Sequence, residues 1–380
     1  MKAIKVKIYP KKWQKELIEK HFGCCRLIYN YGLERKTKTY QESKKSIGIY
    51  TIQKEIPKMY EEKPWLKEVN SQAIQQSLKD LDSAFSHFFK ANNSFPKFKS
   101  KKNPKQSFRV PQHFEVSKDK KHIKIPKLKW IRFKDKFNIP KDVEFRNITI
   151  SRSGNEYFAS ICYDDKKQIP SLAKITESKT VGIDLGTKVL ATLSDNTVIE
   201  NPRHFKKYED KLALEQQKLS KKTNRETKSY QKQKNKVNKI HKKISNTRKD
   251  FLHKLTTNLV ENKDWTSYAI EDLAVKDMLQ NNSTSMSRTI GDTGWRMLRS
   301  MMEYKCNEKG KNLLVIGRFE PSSKLCYCGV KNNELELKDR KWTCKNCGLT
   351  HNRDELAANN IKNFALIKSL GKDFSERKRA

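Results

Sequence analysis

Four cysteines in two short knuckles are the residues of this chain best suited to do chemistry. Cys326-Tyr327-Cys328-Gly329 and Cys344-Lys345-Asn346-Cys347-Gly348 are each closed by a glycine, and fifteen residues separate Cys328 from Cys344. Paired thiolates at that separation predict a tetrahedral zinc site formed by Cys326, Cys328, Cys344 and Cys347. His351-Asn352-Arg353-Asp354 follows almost at once. A metal in the knuckles would therefore hold the surroundings of a carboxylate in place.

Two further acids stand in unusual settings. Asp184 lies inside the apolar run Thr180-Val181-Gly182-Ile183-Asp184-Leu185-Gly186, and Glu271 ends the run Ser267-Tyr268-Ala269-Ile270-Glu271. A carboxylate in an apolar strand is expensive to bury unless it is paired or binds metal. Asp354 opens a helix, where the backbone dipole favours the ionised form. Three converging acids need cations between them, and two Mg²⁺ ions roughly 4 Å apart would both satisfy them and support phosphodiester hydrolysis. Each acid taken alone also fits a turn or cap position. Asp272 is a rival ligand, although strand alternation turns it away from the face of Glu271.

The elements that must carry these residues follow from periodicity. Lys2 to Ile8 alternates charge with apolarity and reads as a half-buried strand rather than a signal peptide. From Pro10 a long helix is expected, with Trp13, Leu17, Ile18, His21 and Phe22 on its packing face and Leu27, Ile28 and Tyr31 continuing it. A second helix carries Ile74, Leu78, Leu81, Phe85, Phe88 and Phe89. Between Phe95 and Tyr163 short β-rich segments (108–110, 122–125, 143–150 and 157–163) are separated by turn signals such as Ser153-Gly154-Asn155. They predict an antiparallel barrel whose first strand is the N-terminal one. Strands at 189–193 and 197–200 extend the Asp184 strand into a meander. Residues 203–254 hold 18 Lys and Arg against 5 Asp and Glu over an apolar helical stripe (Val237, Ile240, Ile244, Phe251, Leu255, Leu259). That pattern predicts a basic helical hairpin. A polar loop over 280–288, a helix with Trp295, Leu298 and Met302, a strand at 313–316 and a helix over 357–367 complete the chain.

At 380 residues there is room for two or three domains with cores, and the net charge of +39 points to a polyanionic partner, nucleic acid first. No apolar run approaches the ~18–20 residues needed to span a bilayer. Cys24, Cys25, Cys162 and Cys306 read as ordinary buried thiols of a reducing compartment.

The order strand Asp, meander, long insertion, strand Glu, cysteine knuckles and helix Asp matches the RNase H-like arrangement of RuvC nucleases. Over nearly its whole length the chain resembles the TnpB family, the OrfB-type products of bacterial insertion sequences and relatives of the type V CRISPR effectors. The shared pieces are His21-Phe22-Gly23-Cys24-Cys25-Arg26 with Tyr29-Asn30, and Phe95-Pro96-Lys97-Phe98-Lys99. Gly182 to Gly186, Ile270 to Leu273, Ser322-Ser323-Lys324, and Trp342 through Asp354 to Ile361 complete them.

The resemblance implies a multidomain α+β and α/β protein. A wedge β-barrel (1–10 and 93–170) would carry an inserted helical recognition domain (11–92). A linker (171–179) would lead to an RNase H-like (RuvC) nuclease domain (180–368) with a basic helical insertion (203–260) and a zinc ribbon (321–350). A basic, disordered tail (369–380) would follow. It further implies an RNA-guided DNA endonuclease in the bacterial cytoplasm, associated with the nucleoid. The guide RNA would derive from the element end and the target would be double-stranded DNA beside a short motif, with one protein chain per RNA or a dimer and no membrane. Asp184, Glu271 and Asp354 match the family's Mg²⁺-binding acids. Gln72, Gln75 and Gln76 are candidates for adenine contacts in the adjacent motif, or simply the polar face of a helix. Lys97, Lys99, Arg109 and Arg353 are the cations expected on nucleic acid.

Three positions depart from the family. The first knuckle is Cys-x-Cys where Cys-x-x-Cys is usual, a tighter turn that Gly329 keeps feasible; Asn352 replaces a common Asp, and Leu356 a common Asn. Competing readings are a guided transcriptional repressor that binds without cutting, a transposase acting directly on element ends, and a zinc-ribbon scaffold without catalysis. The scaffold leaves Asp184 and Glu271 unexplained.

Overall fold

The computed structural model describes residues 1–90, 94–134, 139–140, 143–336 and 338–371. The chain divides into two compact units, Met1–Lys167 and Gln168–Ala380.

In the first unit, strand β1 (Lys2–Tyr9) buries Val6 and Ile8. Helix α1 (Lys12–Ser43) then runs unbroken through Gly23, followed by α2 (Ile49–Gln53), α3 (Ile56–Glu62) and α4 (Ser71–Phe89). Asn70 caps α4 by accepting the N–H groups of Gln72 and Ala73, and its own N–H donates to the buried His21 Nε2 at 3.0 Å. Gly32 lets α1 approach α4, since a Cβ there would meet Leu78 and Leu81 at 2.8 and 2.9 Å. Trp13, expected on the packing face, is 43% exposed. Gln14 is buried in its stead, drawn inward because its amide donates to the Leu128 and Trp130 carbonyls. The aromatic stripe of α4 is core only as far as Leu81, and Phe89 at its end is 75% exposed.

Strands β2 (Gln106–Val110), β3 (Glu115–Val116), β4 (His122–Ile125), β5 (Lys129–Phe133), β6 (Glu144–Ser153) and β7 (Glu156–Asp164) join β1 in a seven-stranded sheet. Its order is β2-β6-β7-β1-β5-β4-β3, and neighbouring strands are antiparallel. The sheet does not close into the expected barrel: β2 and β3 stand at opposite edges, unpaired with each other. Pro111 has no N–H with which to extend β2, His113 turns the chain through φ 60°, and β3 offers only two residues. Cys162, expected to be buried, is half-buried, because the alternation of β7 puts Ile161 and Tyr163 inside and Cys162 on the outer face.

The second unit is built on a five-stranded sheet of β8 (Thr180–Leu185), β9 (Val189–Leu193), β10 (Val198–Glu200), β11 (Ser267–Glu271) and β12 (Asn312–Ile316), in the order β10-β9-β8-β11-β12. The first three form an antiparallel meander, and β8, β11 and β12 run parallel. Between β10 and β11 the basic segment forms the expected hairpin, α5 (Glu209–Ser220) and α6 (Lys228–Glu261), closed over Leu212, Val237, Ile240 and Ile244. The expected polar loop over 280–288 is instead helical except at 282–283. Helix α7 (Val275–Asn281) is followed by α8 (Thr284–Thr293), whose N-terminus Ser283 caps by accepting from Met286 N–H, and then by α9 (Trp295–Glu308). The hairpin β13 (Lys341–Thr343) and β14 (Thr350–Asn352) leads into α10 (Arg353–Leu370). That helix includes Ser369 and Leu370; residues 372–380 of the expected basic tail lie outside the described residues.

The sheet is covered on both faces, and alternation decides which side chain goes where. Val181, Ile183, Tyr268 and Ile270 share a core with Leu252, Leu259, Trp295, Leu298 and Met302 of α6 and α9. Ala269 and Ile316 pack instead with Ile361 and Ala365 of α10. Period-two geometry therefore turns Asp184 and Glu271 to the α10 face.

Candidate active site and metal centre

Register brings the two strand acids together. Gly182 pairs with Ala269 and Ile183 with Ile270 across the parallel β8–β11 ladder, so Asp184 and Glu271 come next on the same face. Helix α10 can lie close over them because residue 182 is glycine: a Cβ there would stand 2.0 Å from the Ala358 carbonyl oxygen. Asp354 sits in the first turn of that helix, which Asn352 caps by accepting the Asp354 N–H at 3.2 Å.

Asp184 registers this neighbourhood. Burial, then the charges of Glu271 and Asp354, push its carboxyl up to about 7, while Arg353 and the Leu185 N–H oppose the rise. Burial also raises Glu271, and the Ser322 hydroxyl, donating to its Oε1 at 2.5 Å, holds it down. Arg340 faces Asp354 at 3.4 Å. A half-buried carboxyl crowded by two others fits divalent cations, which would offset the repulsion that helps raise it.

Asp272 does not compete for this place. It accepts from Arg299 and Arg318, the latter at 3.2 Å, beyond the end of β11. The role of Ser322 was not legible beforehand, nor was that of Asn360. The fully buried Asn360 amide donates at 2.7 Å to both the Ser322 and Leu325 carbonyls, fixing the loop that presents the serine.

The four cysteines come together. Their sulfurs all lie within 4.8 Å of one another, with Cys326 and Cys347 at 3.5 Å and Cys328 and Cys344 at 3.6 Å. Sulfurs bound to one tetrahedral zinc at about 2.3 Å would stand about 3.8 Å apart, so the set fits that ion. Among the described residues it is the one group of three or more His, Cys, Asp or Glu gathered so tightly; the three carboxylates are more open. Both knuckle glycines adopt the left-handed conformation, Gly329 at φ 89° and Gly348 at φ 74°. The Val330 N–H lowers the Cys328 thiol to about 6 despite the one-residue-shorter knuckle, and the Cys347 and Asn346 N–H groups lower Cys344. Burial pushes Cys326 up to about 12.

The candidate nucleic-acid residues divide. Gln75 is exposed, Gln76 donates to Asp80 at 3.1 Å, and the Gln72 Oε1 is enclosed with no partner among the described residues. Lys97 and Arg109 are exposed. Lys99 is fastened: its N–H donates to Asn30, its carbonyl accepts from the same side chain, and its ammonium lies 3.8 Å over the Tyr29 ring. Arg353 is half-buried, donating to the Glu336 carbonyl at 2.8 Å, and its charge opposes the rise of Asp184.

Comparison with known proteins agrees with this organisation. Residues 160–282 match the OrfB_IS605 family, described as "Probable transposase", and residues 295–361 match the Cas12f1-like TNB domain. Residues 1–45 match the helix-turn-helix domain of OrfB_IS605, although here they fold as a strand and one unbroken helix. A Streptomyces pristinaespiralis protein named "Putative RNA-guided DNA endonuclease" is 34% identical over 95% of this chain and 88% of its own length. "Putative RNA-guided DNA endonuclease InsQ" of Escherichia coli K12 is 33% identical over 95% and 91%. The fold is similar to that of the protein in a cryo-EM Cas12f1–sgRNA–target DNA complex, with a TM-score of 0.57 and 15% identity over 93% of this chain and 83% of that one. The chain therefore belongs to the OrfB family of IS605-type insertion sequences, the TnpB proteins.

Proposed function

We propose that this chain is an RNA-guided DNA endonuclease of an insertion sequence, cutting target DNA by hydrolysis at Asp184, Glu271 and Asp354. The observation that carries the reading is the parallel β8–β11 register that turns Asp184 and Glu271 to the face where α10 packs and brings Asp354, with burial and both neighbouring charges raising the Asp184 carboxyl. A purely structural core has no use for such crowding. The meander-then-parallel order of the sheet supports an RNase H-like nuclease unit.

In this mechanism the three acids would hold the Mg²⁺ ions, whose charge would stabilise the attacking and leaving oxygens. Ser322 fixes the rotamer of Glu271, Asn360 fixes Ser322, and the Asn352 cap fixes the turn that bears Asp354. Arg340 and Arg353 lend positive charge where a phosphodiester must enter. The thiols of Cys326, Cys328, Cys344 and Cys347 would hold a structural zinc ion beside the hairpin that leads into α10. Guide RNA and double-stranded target DNA are the polyanions that the net charge of +39 calls for. The helices within 11–92 and the sheet of the first unit receive the hybrid and the adjacent motif, and the α5–α6 hairpin tracks phosphates.

The test is plasmid cleavage by protein purified with its RNA, with and without Mg²⁺. Asp184→Ala should retain RNA and target binding and lose cutting. Wild-type cutting by that variant would overturn the assignment of the site, and binding without cutting by the wild-type chain would favour a repressor.

A further inference from the structure

We propose that His351 is a positioning residue of the thiol cluster, its Nε2–H donating to the Cys326 thiolate and tying the strand that precedes Asp354 to the metal centre. The inference rests on reading the four thiols as a zinc site.

His351 is the middle residue of β14, 6% exposed, with Trp342 opposite it in the hairpin register. Its ring lies 4.9 Å from that of Trp342 and 5.3 Å from that of Tyr327, and its Nε2 lies 3.1 Å from the Cys326 sulfur. A thiolate bound to metal has no proton to give, so across this contact the imidazole must be the donor. The ring is not a ligand in disguise. A nitrogen and a sulfur sharing one tetrahedral zinc would stand about 3.6 Å apart, and His351 is not part of the set whose ligand atoms lie within 4.8 Å of one another. It approaches that set from outside, on the side of Cys326.

Two features make the bond consequential. Cys326 is fully buried while Cys328, two residues on, is exposed, so the charge of the short knuckle is deepest where His351 meets it. A buried anion needs donors. The next residue is Asn352, the cap of α10, and Asp354 follows two later. A bond from His351 to the cluster thus sets the height of β14, and with it the start of the helix that presents the acid. Partners of this kind outside the ligand set are worth about 10–100-fold in metal affinity or activity.

The experiment uses the full chain with Co²⁺ in place of zinc and compares His351→Phe with His351→Gln. Phenylalanine keeps the ring between Trp342 and Tyr327 but has no donor; glutamine gives up the ring but brings an amide nitrogen to nearly the same reach. The expected result is that His351→Phe keeps the tetrahedral ligand-field bands, moves the thiolate-to-cobalt charge-transfer band to longer wavelength, and binds metal about 10–100-fold more weakly. It should also need more Mg²⁺ for half-maximal cutting, and His351→Gln should restore all three readouts. If packing alone matters, the order reverses, with Phe close to wild type and Gln impaired, and the proposal falls. A change of the ligand-field bands in both variants would make His351 a ligand and overturn it as well. Failure of the wild-type chain to bind Co²⁺ tetrahedrally would sink the underlying zinc reading, before any variant is compared.

Discussion

Replacing Asp184 with asparagine should stabilise the metal-free protein while abolishing cutting. The carboxyl is held at about 7 against an ordinary value of 3.8. At about 1.36 kcal/mol per tenfold change, ionising it in place costs the fold on the order of 4 kcal/mol. The sign follows from linkage: a carboxyl raised in the folded state is favourable below its ordinary value, and that advantage is lost as pH rises through about 7. Asparagine removes the charge, but its amide needs partners of its own, so we expect about half the ceiling, ~2 kcal/mol at pH 8. In a unit of this size that is a rise of about 4–8 °C in the melting temperature. Calorimetry in EDTA at pH 8 and pH 5 is the assay. The gap should be widest at pH 8, shrink at pH 5, and narrow again when Mg²⁺ is added, because only the wild type would gain from the ion. If Asp184→Asn melts at or below the wild type at pH 8 in EDTA, or the gap ignores pH, the acids are not crowded as described.

Three further outcomes are expected. Ser322→Ala removes the hydrogen bond that holds Glu271 down, so cutting should fall about 10-fold and a Mg²⁺ titration should shift to higher concentration, with RNA binding unchanged. Gly182→Ala places a Cβ 2.0 Å from the Ala358 carbonyl and must push α10 off the sheet; we expect about 3 kcal/mol of destabilisation, read by thermal melting, together with loss of cutting. If the exposed Lys232 and Lys239 of α6 each meet a phosphate, the double alanine variant should lower the slope of log binding constant against log salt by about 2 on duplex DNA.

The strand settings of Asp184 and Glu271 were legible because a carboxylate in an apolar run has few other excuses; that Asn352 caps the helix carrying Asp354 emerged only from the structure. The register of those two strands was not legible either. β8 and β11 are parallel neighbours separated by the whole α5–α6 hairpin, and no local pattern states which residue faces which. Ser322 and Asn360 were hidden for the same reason: Ser322 reaches a partner 51 residues away, and Asn360 reaches partners 38 and 35 away. The barrel expectation went wrong over one proline and one two-residue strand, features too small to outweigh a run of alternating segments. Helix α8 was missed because its polar sequence reads as loop until Ser283 caps it.

The way the acids are mounted argues that fold and chemistry are linked through the cation. Gly182 brings α10 against β8, and that closeness is what lets Asp354 raise Asp184. A looser packing would relieve the repulsion but leave the ions held on one side only. The unit therefore stores unfavourable charge in its most tightly apposed elements. The surrounding core absorbs the cost: Val181, Ile183, Tyr268 and Ile270 are essentially fully buried on the opposite face of the same two strands. An ion that binds only the folded arrangement returns part of that cost as stability, by RT ln(1 + [L]/Kd). The same contact that makes the metal-free protein less stable thus makes it a better receiver of divalent cations.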